Sequence, residues 1–354
     1  MRGEAQAALA RAADAGIHCL PIPTPFRIGR VNTYLIDDDP LTLLDSGPNS
    51  GTALDTLERA LAAHGRRVED LELIVISHQH IDHLGLVSIL VRRSGAQVAA
   101  LDLLVPWVEH WSEAMDADDA FAERIMAEHG IPEDVRTALI GVSRSYRGWG
   151  AAATVTRSLA AGSQLRLRDR SLRVHHRPGH SPSDTIFHDE QRGIVLGADH
   201  IMKHISSSPL ISRPLPAAGD GDGDGDGGEG GGGGGESAER PHALEMYADS
   251  LNATRAMDGV ELVLAGHGDP VTDHVALIDE RLRLHARRAK RIQRLIAKGP
   301  ISAYEIAQSL WGNVAVTQAY MTLSEVLGHV DLLVTDGRVV EQRDGGVVRF
   351  AAAS

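Results

Sequence analysis

Six consecutive residues, His78-Gln79-His80-Ile81-Asp82-His83, put three imidazoles and a carboxylate into one short turn. The apolar run Leu73-Ile74-Val75-Ile76 comes directly before them, so a strand ending there would aim all four groups at one point. Imidazole nitrogen together with carboxylate oxygen suits zinc, iron or manganese. Packing has no need of four metal-ligand side chains in one turn. The plainer explanation is a polar loop helped by a histidine-rich composition, 18 in all.

Further ligands at other strand ends would separate these explanations, and the chain offers three. His180 stands in Arg177-Pro178-Gly179-His180-Ser181-Pro182, just after the strand-like Leu172–His176. Asp199 ends Ile194-Val195-Leu196-Gly197-Ala198, and His267 follows Val260–Ala265 in Gly266-His267-Gly268-Asp269-Pro270. Each is an imidazole or carboxylate on a turn after a β-like run, where ligands gather in layered α/β folds. One such histidine alone reads as structural; the joint pattern carries the weight.

The His-x-His-x-Asp-His turn, followed in order by His180, Asp199 and His267, resembles the metallo-β-lactamase-fold hydrolase superfamily. Leu44-Asp45-Ser46-Gly47 is similar to that family's early Asp-x-Gly element. The resemblance covers roughly residues 20 to 275 and implies an α/β fold, an αββα sandwich with metals at one edge. It implies His78, His80 and His180 around a first divalent ion, and Asp82, His83 and His267 around a second, with Asp199 bridging. Two Zn2+ ions are expected, with iron or manganese as alternatives. An aspartate at position 199, where the antibiotic-degrading branch usually has cysteine, points to the glyoxalase II-like and lactonase or thioesterase-like branches.

The elements that must position these groups can be read in outline. Val31–Ile36 and Leu41–Asp45 read as a hairpin joined by Asp37-Asp38-Asp39-Pro40, and Ser50–His64 has helical spacing with Gly65 as its stop. Strand Leu73–Ser77, the His-rich turn, a helix through Leu84–Arg93 and a strand Gln97–Leu101 follow. Residues 106–148 read as a helical insertion whose stripe of Trp107, Trp111, Met115, Phe121, Ile125 and Met126 is core or, alternatively, a substrate lid. Strands return at Ser171–His176, Asp184–His188 and Gly193–Leu196, and a helix Leu244–Met257 leads into Val260–Ala265.

The Gly/Asp-rich stretch 217–238 cannot bury a core and is expected to be disordered. Asp220, Asp222, Asp224 and Gly225 match the opening of a calcium loop, but Gly231 stands where the twelfth-position glutamate is needed. The expected division is a catalytic domain over 1–278 and a small domain over 279–354. In the latter, a basic helix Asp279–Lys298, a capping box Ser302-Ala303-Tyr304-Glu305, a helix Thr317–Val330 and a hairpin Arg338–Gln342/Val347–Phe350 suggest a winged helix. Glu325-Val326-Leu327-Gly328-His329-Val330-Asp331-Leu332 looks like the winged-helix appendage of the lactamase-beta-2-like group.

Composition narrows the function classes. Net charge of −13 over 354 residues disfavours a polyanion as the default partner. Cys19 is alone, so no intramolecular disulfide forms and it has no nucleophile pattern around it. The amino-terminal stretch lacks an apolar core and no segment approaches membrane-span length, so a cytoplasmic protein without membrane contact is expected.

The chemistry expected of two adjacent cations is hydrolysis of a small ester or thioester by a metal-bridging hydroxide, the water's pKa falling from about 15.7 toward 7. Asp82 is the expected proton shuttle and Asp45 a buried group orienting ligands. His200, Lys203 and His204, after Asp199, are expected at the cleft mouth, where the resemblance implies that Lys203 and His204 touch the anionic part of a substrate; the alternative is a solvated loop. His175 and His176 are expected to alternate between core and solvent, and Tyr34 to pack or, alternatively, to contribute to the pocket. One rival is an endoribonuclease or phosphodiesterase using the basic helix (Arg281, Arg283, Arg287, Arg288, Lys290, Arg291, Arg294, Lys298) on nucleic acid. The other is a non-catalytic, metal-containing binding protein.

Overall fold

The computed structural model describes residues 2–207, 209–215 and 239–353. The expected disordered insert 217–238, with its rejected calcium loop, lies outside them.

Two mixed sheets stack face to face. The first takes β1 (Ile17–Ile22), β2 (Val31–Ile36), β3 (Thr42–Leu44), β4 (Leu73–Val75), β5 (Gln97–Leu101) and β6 (Arg157–Leu159), in chain order. Its first three strands pair antiparallel and β3 to β6 pair parallel. The second takes β7 (Gln164–Arg166), β8 (Ser171–His176), β9 (Thr185–Asp189), β10 (Ile194–Ala198) and β11 (Leu262–Ala265), antiparallel until β10 meets β11 in parallel. Parallel neighbours need a crossover. On the first sheet α2 (Gly51–Ala63) and α4 (Val87–Ser94) supply two of them; α1 (Arg2–Asp14) lies against β1, and the short α3 (Ile81–Leu84) carries Asp82 and His83.

Alternation along the second sheet builds the sandwich. Leu172, Val174, Phe187, Leu196 and Leu264 join one core with the first sheet, while Ile186, Val195 and Val263 turn to the opposite face. There they meet Leu244, Tyr247 and Leu251, which belong to α8 (Ala243–Arg255) once α5 (Val105–Glu109), α6 (Trp111–Glu128) and α7 (Glu133–Tyr146) have been passed in the chain. The result is the αββα sandwich. On the outer face of the first sheet, α2 buries Leu57 and Leu61, each worth about 1.5–3 kcal/mol of apolar transfer. Ser50 caps α2, its Oγ accepting from Ala53 N at 3.1 Å, and Gly65 takes the left-handed conformation (φ +68°) at its end.

The helix expected through Leu84–Arg93 is broken at Gly85-Leu86. There Leu86 N donates to Gly47 O at 3.0 Å instead of continuing the helical ladder, and a Cβ at Gly85 would lie 2.3 Å from Trp149 O and 2.5 Å from Asn49 N, so only glycine fits at the break. The tryptophan-rich stripe is core. Trp107 and Trp111 join the sandwich, whereas Phe121, Ile125 and Met126 join a second cluster in the last part of the chain. The insertion therefore rivets two cores together.

That second cluster is built on α9 (His274–Ile296), α10 (Ala303–Trp311), α11 (Val314–Thr317) and α12 (Ala319–Thr335), with a small sheet of β12 (Ile301–Ser302), β13 (Val339–Asp344) and β14 (Val347–Ala352). The capping box forms as expected: Ser302 Oγ accepts from Glu305 N at 3.2 Å, and Ser302 N donates to Glu305 Oε2 at 2.7 Å. The basic helix, however, starts at His274, because Asp273 caps it by accepting from Ala276 N at 2.9 Å. The division expected at 278/279 thus falls inside one continuous helix, whose Ile278 packs on the sandwich and whose Ile292 and Ile296 pack on the second core.

Gly328 on α12 faces Leu244 on α8, where an added Cβ would stand 2.8 Å from Leu244 Cβ. On an exposed helix Gly→Ala gains up to about 1 kcal/mol. Here overpacking of about 1–3 kcal/mol opposes it, so Gly328→Ala is expected to lower the urea midpoint. A midpoint equal to or above the wild type would show that the two helices are not in tight contact.

Candidate metal centre

All the strands that carry expected ligands release them at one edge of the sandwich. The turn after β4 brings His78 and His80, α3 brings Asp82 and His83, the turn after β8 brings His180, and β10 and β11 end in Asp199 and His267. The seven polar tips converge. His80 Nδ1 lies 3.1 Å from His78 Nε2 and 3.0 Å from His180 Nε2. His267 Nε2 is 3.3 Å from Asp82 Oδ2. Asp199 stands between the groups, its Oδ1 3.3 Å from His83 Nε2 and its Oδ2 3.5 Å from both His180 Nε2 and His267 Nε2.

Backbone strain and glycine make this convergence possible. Asp45 (φ +59°) and Ala198 (φ +41°) both occupy left-handed space, which costs an L-residue energy, and each sits at a strand end in the site. A Cβ at Gly266 would lie 2.2 Å from Asp199 Oδ1 and 2.9 Å from His83 Cε1, so only glycine fits between two ligands.

The hydrogen bonds behind the ligands fix which ring nitrogen faces the centre. His267 Nδ1 donates to Arg30 O at 2.8 Å, leaving Nε2 with its lone pair. His83 Nδ1 lies 2.8 Å from Asp45 Oδ2, which turns its Nε2 to the centre in the same way. Ser77 Oγ sits 2.8 Å from Asp45 Oδ2 and 2.9 Å from His78 Nδ1, so Asp45 orients two imidazoles, one directly and one through a serine. His83 Nε2, Asp199 Oδ1 and His267 Nε2 are buried atoms without a hydrogen-bond partner. Imidazole and carboxylate atoms left bare and turned toward each other are what a pair of cations would satisfy. The residues present fit two such ions, through His78/His80/His180 and Asp82/His83/His267.

Protonation shows the same tension. Burial and the neighbouring imidazoles push His78 down, and burial with His180 pushes His80 down to about 3. Burial opposes ionisation of Asp199, yet His83 and His267 hold its carboxyl well below the usual range. Burial likewise opposes a charge on His83, but Asp199 and Asp45 pull it well above the ordinary histidine value. Cation binding at His83 Nε2 competes with a proton there, so metal affinity is expected to fall with falling pH.

Several residues that the sequence did not single out complete the site. Asp184 is buried, accepts from Ser181 Oγ at 2.9 Å, and is pushed up to about 6, first by burial. Ser183 Oγ donates to Gln79 Oε1 at 2.9 Å and accepts from Gln79 N at 3.1 Å, tying the His-rich turn to the His180 loop. Asn32 Nδ2 donates to Ala265 O and Gly268 O at 3.0 and 2.9 Å, steadying the His267 loop. The polar run Ser181-Pro182-Ser183-Asp184 was the available signal for the first two.

Other expectations fare differently. His200 does not line the cleft mouth: it is buried, with Nε2 2.9 Å from Thr254 Oγ1 and its backbone O accepting from Tyr247. Lys203 pairs with Glu4 at 3.4 Å and His204 with Asp269 at 3.0 Å. His175 and His176 are both half-buried rather than alternating, while Tyr34 packs, donating to Ala265 O at 2.6 Å. Burial pushes the Cys19 thiol up to about 12, in keeping with an inert residue. Among the described residues no helix is long and apolar enough to cross a membrane.

Comparison with known proteins agrees with this architecture. The family model described as the metallo-beta-lactamase superfamily matches residues 27–267. The chain belongs to that superfamily, and it is a metallo-hydrolase. A curated relative, the probable metallo-hydrolase YqjP of Bacillus subtilis (strain 168), is 29% identical over 329 residues, covering 93% of this chain and 95% of its own. Two solved structures share the fold at 23% identity. A metallo-beta-lactamase family protein from Thermus thermophilus has a TM-score of 0.73, covering 95% of this chain and 98% of its own. A beta-lactamase domain protein from Burkholderia ambifaria has a TM-score of 0.75, covering 96% and 92%.

Two substitutions test the geometry without deleting a ligand. Asp45→Asn should weaken cation binding by about 10–100-fold, the usual loss when a group orienting a ligand is changed. Gly266→Ala should abolish it by forcing Asp199 and His83 apart. Titration with zinc against a competing chelator measures both; wild-type affinity in either variant would contradict the arrangement described.

Proposed function

We propose that the chain hydrolyses small esters or thioesters with two divalent cations, Zn2+ first among them, held by His78, His80 and His180 and by Asp82, His83 and His267, with Asp199 shared. The observation that carries this reading is Asp199, a single buried carboxylate within 3.5 Å of ligand nitrogens from both triads. When bound, such cations supply an activated water near neutral pH and positive charge for a developing oxyanion. The chain's own groups do the rest. Six of the seven side chains are buried and His80 is half-buried, so few routes lead from bulk water to the cluster. Asp82 turns Oδ2 toward His267 Nε2 at 3.3 Å, and its other oxygen, Oδ1, is the one proposed to take a proton from the nucleophile and deliver it to the leaving group. Asp45 and Ser77 hold His78 and His83 in the reactive tautomer.

A cleft beside the His180 loop supports a small substrate with an apolar body. It has a volume of about 180 Å³ and is walled by Leu103, Pro178, Leu210, Pro214 and Met246. Lys203 and His204 are proposed to meet the anionic part of the substrate, exchanging their present carboxylate partners for it.

One observation favours a second reading, phosphodiester cleavage of RNA. Arg283, Arg287, Lys290, Arg291 and Arg294 are exposed along α9. Arg288 does not belong to that stripe, because its guanidinium is paired with Glu325. The order of α9, α10, α12 and the β13–β14 hairpin supports a winged helix as its carrier.

Substituting His78, His80 and Asp82 together by alanine should abolish turnover on a thioester and lactone panel, and chelation should do the same reversibly. Full activity in the triple variant would refute the proposal. Should single-stranded RNA be the substrate instead, cleavage would fall steeply with added salt and on neutralising Arg287 and Arg291.

A further inference from the structure

Away from the catalytic edge, three more metal-ligand side chains meet in the interior. His285 comes from α9; Glu325 and His329, one turn apart, come from α12. All three are buried, and one donor atom from each lies within 4.8 Å of the others. His285 Nδ1 faces His329 Nε2 at 3.2 Å. Two nitrogens bound to one tetrahedral zinc at about 2.0–2.1 Å would stand at about that separation. The ligand pairs of the catalytic cluster, at 3.1 and 3.0 Å, show the same approach.

The groups around the cluster prepare it for a cation. His329 Nδ1 donates to Glu325 O at 2.6 Å, which fixes the tautomer and leaves Nε2 with a lone pair aimed at His285. Burial, above all, pushes both imidazoles down to about 4, so both are neutral and able to ligate at pH 7. Glu325 Oε1 lies 3.6 Å from His329 Nδ1 and carries the Arg288 guanidinium, which holds the carboxylate in place beside the two rings. A ligating carboxylate is commonly held in this way from behind. His285 Nε2 is buried without a hydrogen-bond partner and would bear the ring's proton when Nδ1 ligates.

We propose that His285, Glu325 and His329 form a further cation site, distinct from the catalytic cluster, which takes a borderline divalent ion such as Zn2+ and clips α9 to α12. Two imidazoles and one carboxylate select zinc or a neighbouring transition metal over magnesium or calcium, which prefer all-oxygen shells. Its role is structural. The two helices it joins carry the second core, and α9 continues into the sandwich, so the ion ties that core to the catalytic edge. The site does not depend on the catalytic reading, since it shares none of those ligands. The competing account is a bare hydrogen bond from His285 Nδ1 to His329 Nε2.

Crystals of the full chain grown with Zn2+ and measured on either side of the zinc absorption edge decide between them. The expected result is an anomalous peak about 2.0–2.1 Å from both His285 Nδ1 and His329 Nε2. Peaks at the catalytic cluster with nothing between these two rings would overturn the proposal. In solution, the double variant His285→Gln/His329→Gln should lose about one equivalent of zinc per chain, read by elemental analysis, while a His78→Ala/His80→Ala variant keeps that equivalent. Equal zinc in wild type and double variant would also overturn it. If the double variant fails to fold, the anomalous map still gives the answer.

Discussion

Burying carboxylates and imidazoles together is costly unless their charges and lone pairs are compensated, and everything at the edge of this sandwich is arranged around that cost. Asp199 is buried, yet it approaches nitrogens on three separate segments. Without positive charge in their midst the bare atoms of His83, Asp199 and His267 would be a liability. The strained backbone at Asp45 and Ala198, and the glycine at 266, point the same way: conformations costly in themselves are kept where they bring ligands together.

The scaffold meets this demand with rigidity rather than with many contacts to each ligand. Strands buried on both faces run straight into ligand-bearing turns, so register fixes where each turn begins. The two sheets reach the centre from opposite sides. Asp45 from the first orients His78 and His83, while Asn32 and Tyr34 cross over to hold the backbone beside His267. Cations bound there would add cross-links between the sheets, since each triad draws on both.

The helical insertion and α9 give the molecule a second kind of continuity. Residues only a few turns apart on α6 and its approach enter different cores, as do Ile278 and Ile292 on α9. A unit stitched in this way does not swing freely against the sandwich. The loop after Asp199 is caught between them, with Ile211 packed in the second core and Ser207 donating to Asp199 O.

The convergence of seven metal-ligand side chains was legible in the sequence because metal chemistry restricts residue type severely and strand ends restrict position. The run from His78 to His83 is unusual enough to stand out, and the later three follow turns that close apolar runs. Strand periods and helix caps were legible for the same reason, being set by neighbours along the chain: Ser50, Gly65 and the Ser302–Glu305 box all did locally what their types imply. Where contacts between distant segments decided the outcome, local pattern fell short. Gly47 O drew Leu86 N out of a helical ladder, Thr254 and Tyr247 drew His200 inside, and Glu325 took Arg288 out of the basic stripe. The sequence by itself determined which groups could bind metal and in what order they arrive. Only the tertiary structure decided which nitrogen each ring presents, that Asp199 stands between two triads, and that His285 meets Glu325 and His329, because those depend on partners as much as 237 residues away.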